Sequence, residues 1–504
     1  MGNFRKILAI LLLTLTLCGC GAEEPEETIP IRHNRPGQTE TQPSEPAPTD
    51  PEEVPADRVS VAEPDLEAWI PNLTEVGTVS APEDVVFLRG LPVRRWEREE
   101  ETGYHLMRFD LKEQIDGVWQ DFRMFDNGIV AAYEYTTALP RCSLVDGNTG
   151  EILLMDNACK IEAITGRFFL VRYATGRTTD PEESYIRFSG SQFRPETGEE
   201  EILYRGYGRI FDLETGEFVP GLTLEGTQSV SVCADRTICV KTGWDTADLY
   251  TPEGECLAEA VSVTVCGEYL VQTAEEGLAV YDAGYRYLRT VPGADVISES
   301  GAGVSAYSGK FLKTRHEDSG LLGVVDMGGH EMLAPAFDTI SGAVGDYLIV
   351  GMEQEETWRY GLYLADGTPV LSCEYEGIYG DGSLSVIHYY DENDRDHLYI
   401  PGVGSVNLGG FSRSGMVYYR SPNGASDPVR SYLIYGTGRY LTCAQGRVLG
   451  DYLIYSPEMG LVEAVGGTVL LPPEEAAFDR LEAAGDYLYG FREETGDVTI
   501  YRIN

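Results

Sequence analysis

Positive charge is what this chain has least of. Its 504 residues hold 38 Lys and Arg against 82 Asp and Glu, a formal net charge of −44. A polyanion gains nothing by displacing counterions from another polyanion, so the folded body as a whole is not built for nucleic acid. Adhesion of that body to an anionic lipid surface is excluded on the same ground. Histidine is scarce as well: six residues, scattered, with no His-Glu-x-x-His and no pair at ligand spacing. The absence of Cys-x-x-Cys removes the usual zinc and thiol-redox signatures. No Gly-x-Ser-x-Gly, Ser-x-x-Lys or phosphate loop occurs, and Gly206-Tyr207-Gly208 and Gly301-Ala302-Gly303 precede no helical pattern. Catalytic residues, cofactors and metals are therefore expected to be none.

Long apolar runs are missing but for one. Ile7 to Leu17 follows Arg5 and Lys6 and is eleven residues long, too short to span a bilayer, which takes ~20 residues. It ends in Leu17-Cys18-Gly19-Cys20, which resembles the lipobox of bacterial lipoproteins. The resemblance implies a signal peptide over 1–19, cleavage before Cys20, a diacylglyceryl thioether on that sulfur and an acylated α-amine. Several acyl chains anchor firmly where one would be marginal. The chain is thus expected on the outer, extracytoplasmic face of a bacterial cell membrane, held there through Cys20.

Composition changes sharply after that cysteine. Gly21 to Ser60 carries eight prolines and ten acids against Arg32, Arg35 and Arg58. Such a stretch cannot bury enough surface to offset its ordering entropy, so residues 20–62 read as the lipidated Cys and a disordered acidic tether. Forty residues of coil span about 35 Å.

From 63 to 504 the chain repeats itself. Gly345-Asp346-Tyr347-Leu348, Gly450-Asp451-Tyr452-Leu453 and Gly485-Asp486-Tyr487-Leu488 share a tetrad, and Gly267-Glu268-Tyr269-Leu270 nearly does. A second motif, strand-Asp-turn-Gly, recurs at Asp146, Asp212, Asp326 and Asp366. Asp opens such turns on its own downstream amides and Gly supplies positive φ, so these are hairpins. Sustained helical periodicity is absent, and the fold class is all-β.

At Gly320-Leu321-Leu322-Gly323-Val324-Val325-Asp326, continuing through Glu331, Pro335, Phe337-Asp338 and Ile340, the chain resembles the WG-repeat (KWG-repeat) family. Further units run from Gly361 to Ile378 and from Gly460 to Leu481. The signature Trp-Gly pair is replaced by Leu322-Gly323 and by Tyr363-Leu364. The resemblance implies short β-units packed side by side and no general catalytic activity. Units of this kind must stack or close, and a propeller of about seven or eight blades is expected at ~50–60 residues per blade. An open β-solenoid of hairpin repeats is the alternative.

Function is then expected to be non-catalytic: a binding or scaffolding module for a protein or cell-wall glycan. The alternative is an envelope hydrolase with carboxylates in a propeller channel. Trp96, Trp119, Trp244 and Trp358, with Tyr389, Tyr390, Tyr418 and Tyr419, are candidate sugar platforms, although adjacent tyrosines on a strand face opposite ways. Asp391 to Asp396 is a dense carboxylate loop, but Arg395 and Asp396 stand where a calcium loop needs a ligand and a glycine, so it reads as a hairpin tip. Eight cysteines follow Cys20. Cys233 and Cys239 flank one turn with equal parity and could face each other, whereas Cys373 and Cys443 sit in apolar settings as buried thiols do.

Overall fold

The computed structural model describes residues 60–504 apart from 62–64, 81–83, 99–100, 135–140, 159, 179–185, 190–200, 226–227, 244–245, 299–306, 344, 355–356, 382–385, 392, 394 and 422–427. The segments expected to be a signal peptide, the lipidated Cys20 and a tether lie, up to residue 59, outside the described residues. No helix among those described is long and apolar enough to cross a membrane.

The fold is all-β, with antiparallel sheets throughout and three 3-10 turns as its only described helices. Among the described residues nine sheets have four strands, one has five and one has three. In chain order the larger ones are sheet 1 (121–156), sheet 2 (160–225), sheet 3 (230–261), sheet 4 (263–292), sheet 5 (294–337), sheet 6 (339–375), sheet 7 (377–407), sheet 8 (412–444), sheet 9 (447–471) and sheet 10 (480–503). The three-stranded sheet (85–106) precedes them.

Turn chemistry explains the regularity. The tetrad glycines Gly267, Gly345, Gly450 and Gly485 sit at φ 56°, 57°, 59° and 53°, the left-handed region that opens the first turn of sheets 4, 6, 9 and 10. Tyr and Leu then start the second strand with alternating faces, as in Tyr347, 0% exposed, and Leu348, 1% exposed. The third turns are the Asp motif. Asp146, Asp212, Asp326 and Asp366 each accept, through Oδ1, the amide two residues on, at 2.8, 3.0, 2.8 and 2.9 Å. Each of the three repeat units read in the sequence supplies the last two strands of one sheet and reaches the first strand of the next: Gly320 to Ile340 joins sheets 5 and 6.

Apolar residues alternate on the strands and face the neighbouring sheets. Ile129 and Leu144 of sheet 1 share a core with Phe169 and Val171 of sheet 2. Phe168 and Ile210 of sheet 2 meet Ile238 and Val240 of sheet 3. The same pairing continues through sheets 3–4, 4–5, 5–6, 6–7, 7–8, 8–9 and 9–10. A tenth core holds Tyr489 and Ile500 of sheet 10 with Phe122 and Val130 of sheet 1, and takes in Leu91 and Leu106 of the three-stranded sheet.

Sheet 10 is completed from the other end of the chain. Its outer strand is Leu73–Ser80, paired with Asp497–Ile503 in a register running from Leu73↔Ile503 to Ser80↔Asp497. Asn72 and Asn504 exchange both backbone hydrogen bonds at 2.9 Å. The preceding segment lies across successive sheets: Val61 packs on the core of sheets 5–6, Leu66 on that of sheets 7–8, and Ile70 against Gly466 of sheet 9.

The described cysteines are thiols. Register pairs Cys233 with Thr237 and Cys239 with Ser231, so the two are diagonal neighbours, at a separation of ~7–8 Å that a disulfide does not bridge. Burial pushes Cys233 up to about 11 and Cys239 and Cys266 up to about 12. Cys256 is exposed. Iodoacetamide at pH 8 should therefore label Cys256 in the native protein and leave Cys233, Cys239 and Cys266 unmodified until denaturant is added, which peptide mapping reads directly.

Candidate functional site

In a four-stranded meander the first and third turns share one end of the sheet. At that end, neighbouring sheets touch through their turns. Met416 N of sheet 8 donates to Asp451 O of sheet 9 at 2.7 Å, and Lys310 Nζ of sheet 5 lies 2.7 Å from Asp346 Oδ1 of sheet 6. First turns here are rich in acid: Asp126, Asp235, Glu268, Asp346, Asp451 and Asp486.

Three of these acids surround a cavity of ≈ 250 Å³ between the first turns of sheets 1, 9 and 10. Asp126, Asp451 and Asp486 line it, all exposed and none hydrogen-bonded or ion-paired through its carboxylate within the described chain. Its walls are rings: Phe109, Phe125, Tyr452 and Tyr487. Phe109 and Tyr487 pack at 5.4 Å between centroids, and the Tyr487 hydroxyl donates to Asn148 Oδ1 at 2.8 Å. Phe109 is fixed further by its own carbonyl, which accepts from the Tyr489 hydroxyl at 2.9 Å. Tyr452 is raised above the ordinary phenol range first by burial and then by the charges of Asp451 and Asp486. No Lys or Arg is among the lining residues, although Arg123 lies 5.3 Å from the Phe125 centroid; carboxylates beside the remaining rings make a site for an organic cation, drawn by Coulomb attraction and ring quadrupoles together.

A second constellation sits between sheets 7 and 8. His388, 5% exposed, has Nε2 2.6 Å from the Tyr418 hydroxyl and Nδ1 3.4 Å from Asp396 Oδ1, and its ring stacks on Tyr379 at 4.8 Å. Tyr379 is raised well above the ordinary phenol range, first by burial and then by its hydrogen bond with Tyr390. The order carboxylate, imidazole, hydroxyl matches a relay, but the rings that hold His388 also cover it, so it is a satisfied polar core. Nothing in the sequence nominated His388: it lies in a strand between Ile387 and Tyr389 with no motif around it.

The sugar-platform residues are not brought together. Trp119, Tyr389 and Tyr418 are 4%, 4% and 6% exposed and belong to cores, while Trp358, 44% exposed, stands over Tyr360. Tyr389 faces Tyr375 and His397, and Tyr390 faces Tyr379 on the other side, as strand parity demands. Trp244 lies outside the described residues. In the acidic loop, Asp391 Oδ1 accepts the amides of Asn393 and Arg395 at 2.9 and 3.1 Å and its Oδ2 faces His397, so the carboxylate shapes the hairpin tip. Among the described residues no group of three or more His, Cys, Asp or Glu is placed to hold a metal.

No protein-family model matches the chain, and no curated protein does. Among solved structures, a eukaryotic initiation factor superposes with a TM-score of 0.35 at 8% identity, over 69% of this chain and 95% of that one. Hsv2 of Kluyveromyces lactis gives 0.26 at 11%, over 54% and 89%. Acylaminoacyl peptidase of Pyrococcus horikoshii gives 0.26 at 13%, over 73% and 61%. Identities and scores this low carry nothing about function.

Proposed function

We propose that this chain is a lipid-anchored, non-catalytic binding module of the bacterial cell surface, acylated on Cys20, that captures a ligand through a protonated amine. Sheets 1 to 10 are read as ten blades of a closed β-propeller. Support comes from the ten shared cores, which return from sheet 10 to sheet 1, and from the final sheet borrowing its outer strand from the N-terminal side. Ten exceeds the seven or eight reckoned from length because sheets 7 to 10 begin at 377, 412, 447 and 480, a unit of about 35 residues. The WG-like units are its repeating joints.

The observation that carries the ligand class is the cavity with three unpaired carboxylates and four aromatic walls. The test is fluorescence polarisation with a lysine-bearing tripeptide and its Nε-acetylated form, which removes the charge and keeps the shape. Acetylation, or the double change Asp451→Asn with Asp486→Asn, should weaken binding at least tenfold, about 1.4 kcal/mol. Equal binding of both peptides, unchanged binding by the double variant, or no binding by the unmodified protein overturns the reading. The anchor is tested separately: Cys20→Ala should release the protein to the medium or leave it unprocessed, and full membrane retention would sink it.

A further inference from the structure

The acidic protein carries a long stretch of the opposite sign. Between 408 and 450 there are five arginines, Arg413, Arg420, Arg430, Arg439 and Arg447, and a single acid, Asp427. Three of them lie at the ends of strands opposite the turns that carry Asp451 and Asp486. Arg420 closes the second strand of sheet 8, Arg430 stands at the start of its third, and Arg447 opens the first strand of sheet 9. Sheet 10 continues the row with Arg480 at the start of its first strand and Arg492 at the end of its second.

Every one of these five guanidiniums lies over an aromatic ring. Arg420 is 5.2 Å from the Phe411 centroid and 5.3 Å from Tyr440, Arg430 is 5.3 Å from Tyr419, and Arg447 is 5.3 Å from Tyr455. Arg480 and Arg492 lie 4.0 and 4.8 Å from Phe491 and Phe478. None pairs with a carboxylate among the described residues, whereas Arg108, Arg167, Arg172 and Arg286 all do. Acids stand at the same end, Glu458, Glu474, Glu475, Asp479, Glu493, Glu494 and, opposite Arg492 in register, Asp497; the Asp479 carboxylate is taken by the Glu493 amide at 2.7 Å, and none is ion-paired with the row among the described residues. Arg430 and Arg447 make long contacts, 3.5 and 3.4 Å, to the carbonyls of Gly446 and Leu481.

A guanidinium over a ring is attracted to its face and still has N–H groups to offer a planar oxyanion. The row runs along three sheets and converges on no cavity, so it suits an extended ligand rather than a single ion. Rings are part of the surface too: Tyr440, 38% exposed, stacks on Phe411 at 5.0 Å and presents a platform on which a sugar can lie. Screening acts over ~8 Å at physiological ionic strength, so a single strand laid on this row escapes most of the body's negative field, while a bilayer or a duplex meets all of it.

We propose that the arginine row of sheets 8 to 10 is a second binding surface, for an anionic polysaccharide strand. It is independent of the amine cavity, and the two fail separately. The experiment uses the full chain with fluorescein-labelled polygalacturonate, with dextran of equal length as the neutral control and polyphosphate as the sugar-free anion. Polygalacturonate should bind, dextran should not, and raising salt should weaken binding in proportion to the charges released. Arg420→Gln with Arg447→Gln should weaken binding at least tenfold, and Lys at both positions should restore part of it. Tyr440→Ser should weaken polygalacturonate about threefold and leave polyphosphate unmoved. Thermal unfolding of each variant checks that the fold is intact, as exposed side chains should allow. Failure of the full chain and of a chain lacking residues 21–59 to bind polygalacturonate, equal binding by the Gln variant, or preference for polyphosphate overturns the proposal. Binding only after removal of 21–59 supports it and shows the acidic segment competing for the row.

Discussion

A chain that begins at Asp84, and so lacks Leu73–Ser80, should lose about 5 kcal/mol of stability relative to the chain that begins at residue 60. The strand contributes seven paired positions along Asp497–Ile503, and a net gain of 0.5–1.5 kcal/mol for each of its hydrogen bonds sets the size of the effect. Its removal leaves the backbone edge of Asp497–Ile503 open beside Val498 and Ile500, which are 0% and 1% exposed in the intact protein. An open apolar edge recruits other chains, so the truncated protein should also self-associate. A chain beginning at Pro71 separates causes, since it keeps the strand but drops the contacts of Val61, Leu66 and Ile70. Guanidinium denaturation followed by far-UV dichroism measures the loss, and a peptide of residues 70–83 in excess should restore the midpoint by mass action. An unchanged midpoint on truncation to Asp84 would show that the strand contributes nothing to stability.

Asp212→Ala should cost about 3 kcal/mol, the low side of the range for breaking a buried ion pair, because Arg167 keeps part of its solvent. Asp212 is 2% exposed, and Arg167 grips it in a fork, Nε to Oδ1 at 2.8 Å and Nη2 to Oδ2 at 2.7 Å. Burial alone would raise the carboxyl. The Arg167 fork, the Glu214 amide and the Thr215 hydroxyl overcome it and hold Asp212 below its ordinary 3.8. A depressed folded value means that the contribution is complete above the unfolded value and is lost as pH falls through the folded one. The difference in stability between the unmodified protein and Asp212→Asn should accordingly be flat from pH 7 to about 5 and shrink below 3.8. Arg167→Met should cost as much as the change at Asp212 or more, because it strands a buried charge. A flat difference down to pH 2 would show that the pair is not what lowers Asp212.

Repeats were the most legible part of the chain, and the reason is local. A tetrad such as Gly485-Asp486-Tyr487-Leu488 encodes a turn and the first two faces of a strand within four residues, so its structure follows from its own chemistry. Asp146 and Asp326 likewise make their bonds two residues away. Sheet number was harder, because turn lengths between Gly377 and Arg480 are shorter than the allowance made for insertions, and no residue marks where one sheet stops. The cavity was not legible: Asp126 lies more than three hundred residues from Asp451 and Asp486, and each acid resembles the other acidic turn residues until the sheets bring the three together. His388 and Tyr418 failed to show for the same reason, since their partnership is made across two sheets. The arginines of sheets 8 to 10 were visible as residues, but the whole-chain charge of −44 concealed a stretch of opposite sign.

The pairing of Leu73 with Ile503 also sets a schedule for biosynthesis. At ~5–20 residues per second, the strand 73–80 leaves the ribosome roughly 20–80 s before the segment it must pair with exists. Sheets 1 to 9 can each form against the one before without that pairing, while the strand 73–80 has no partner until 497–503 is present. A chain that stops just short of Asp497 is therefore a nearly complete array in which 73–80 has no partner.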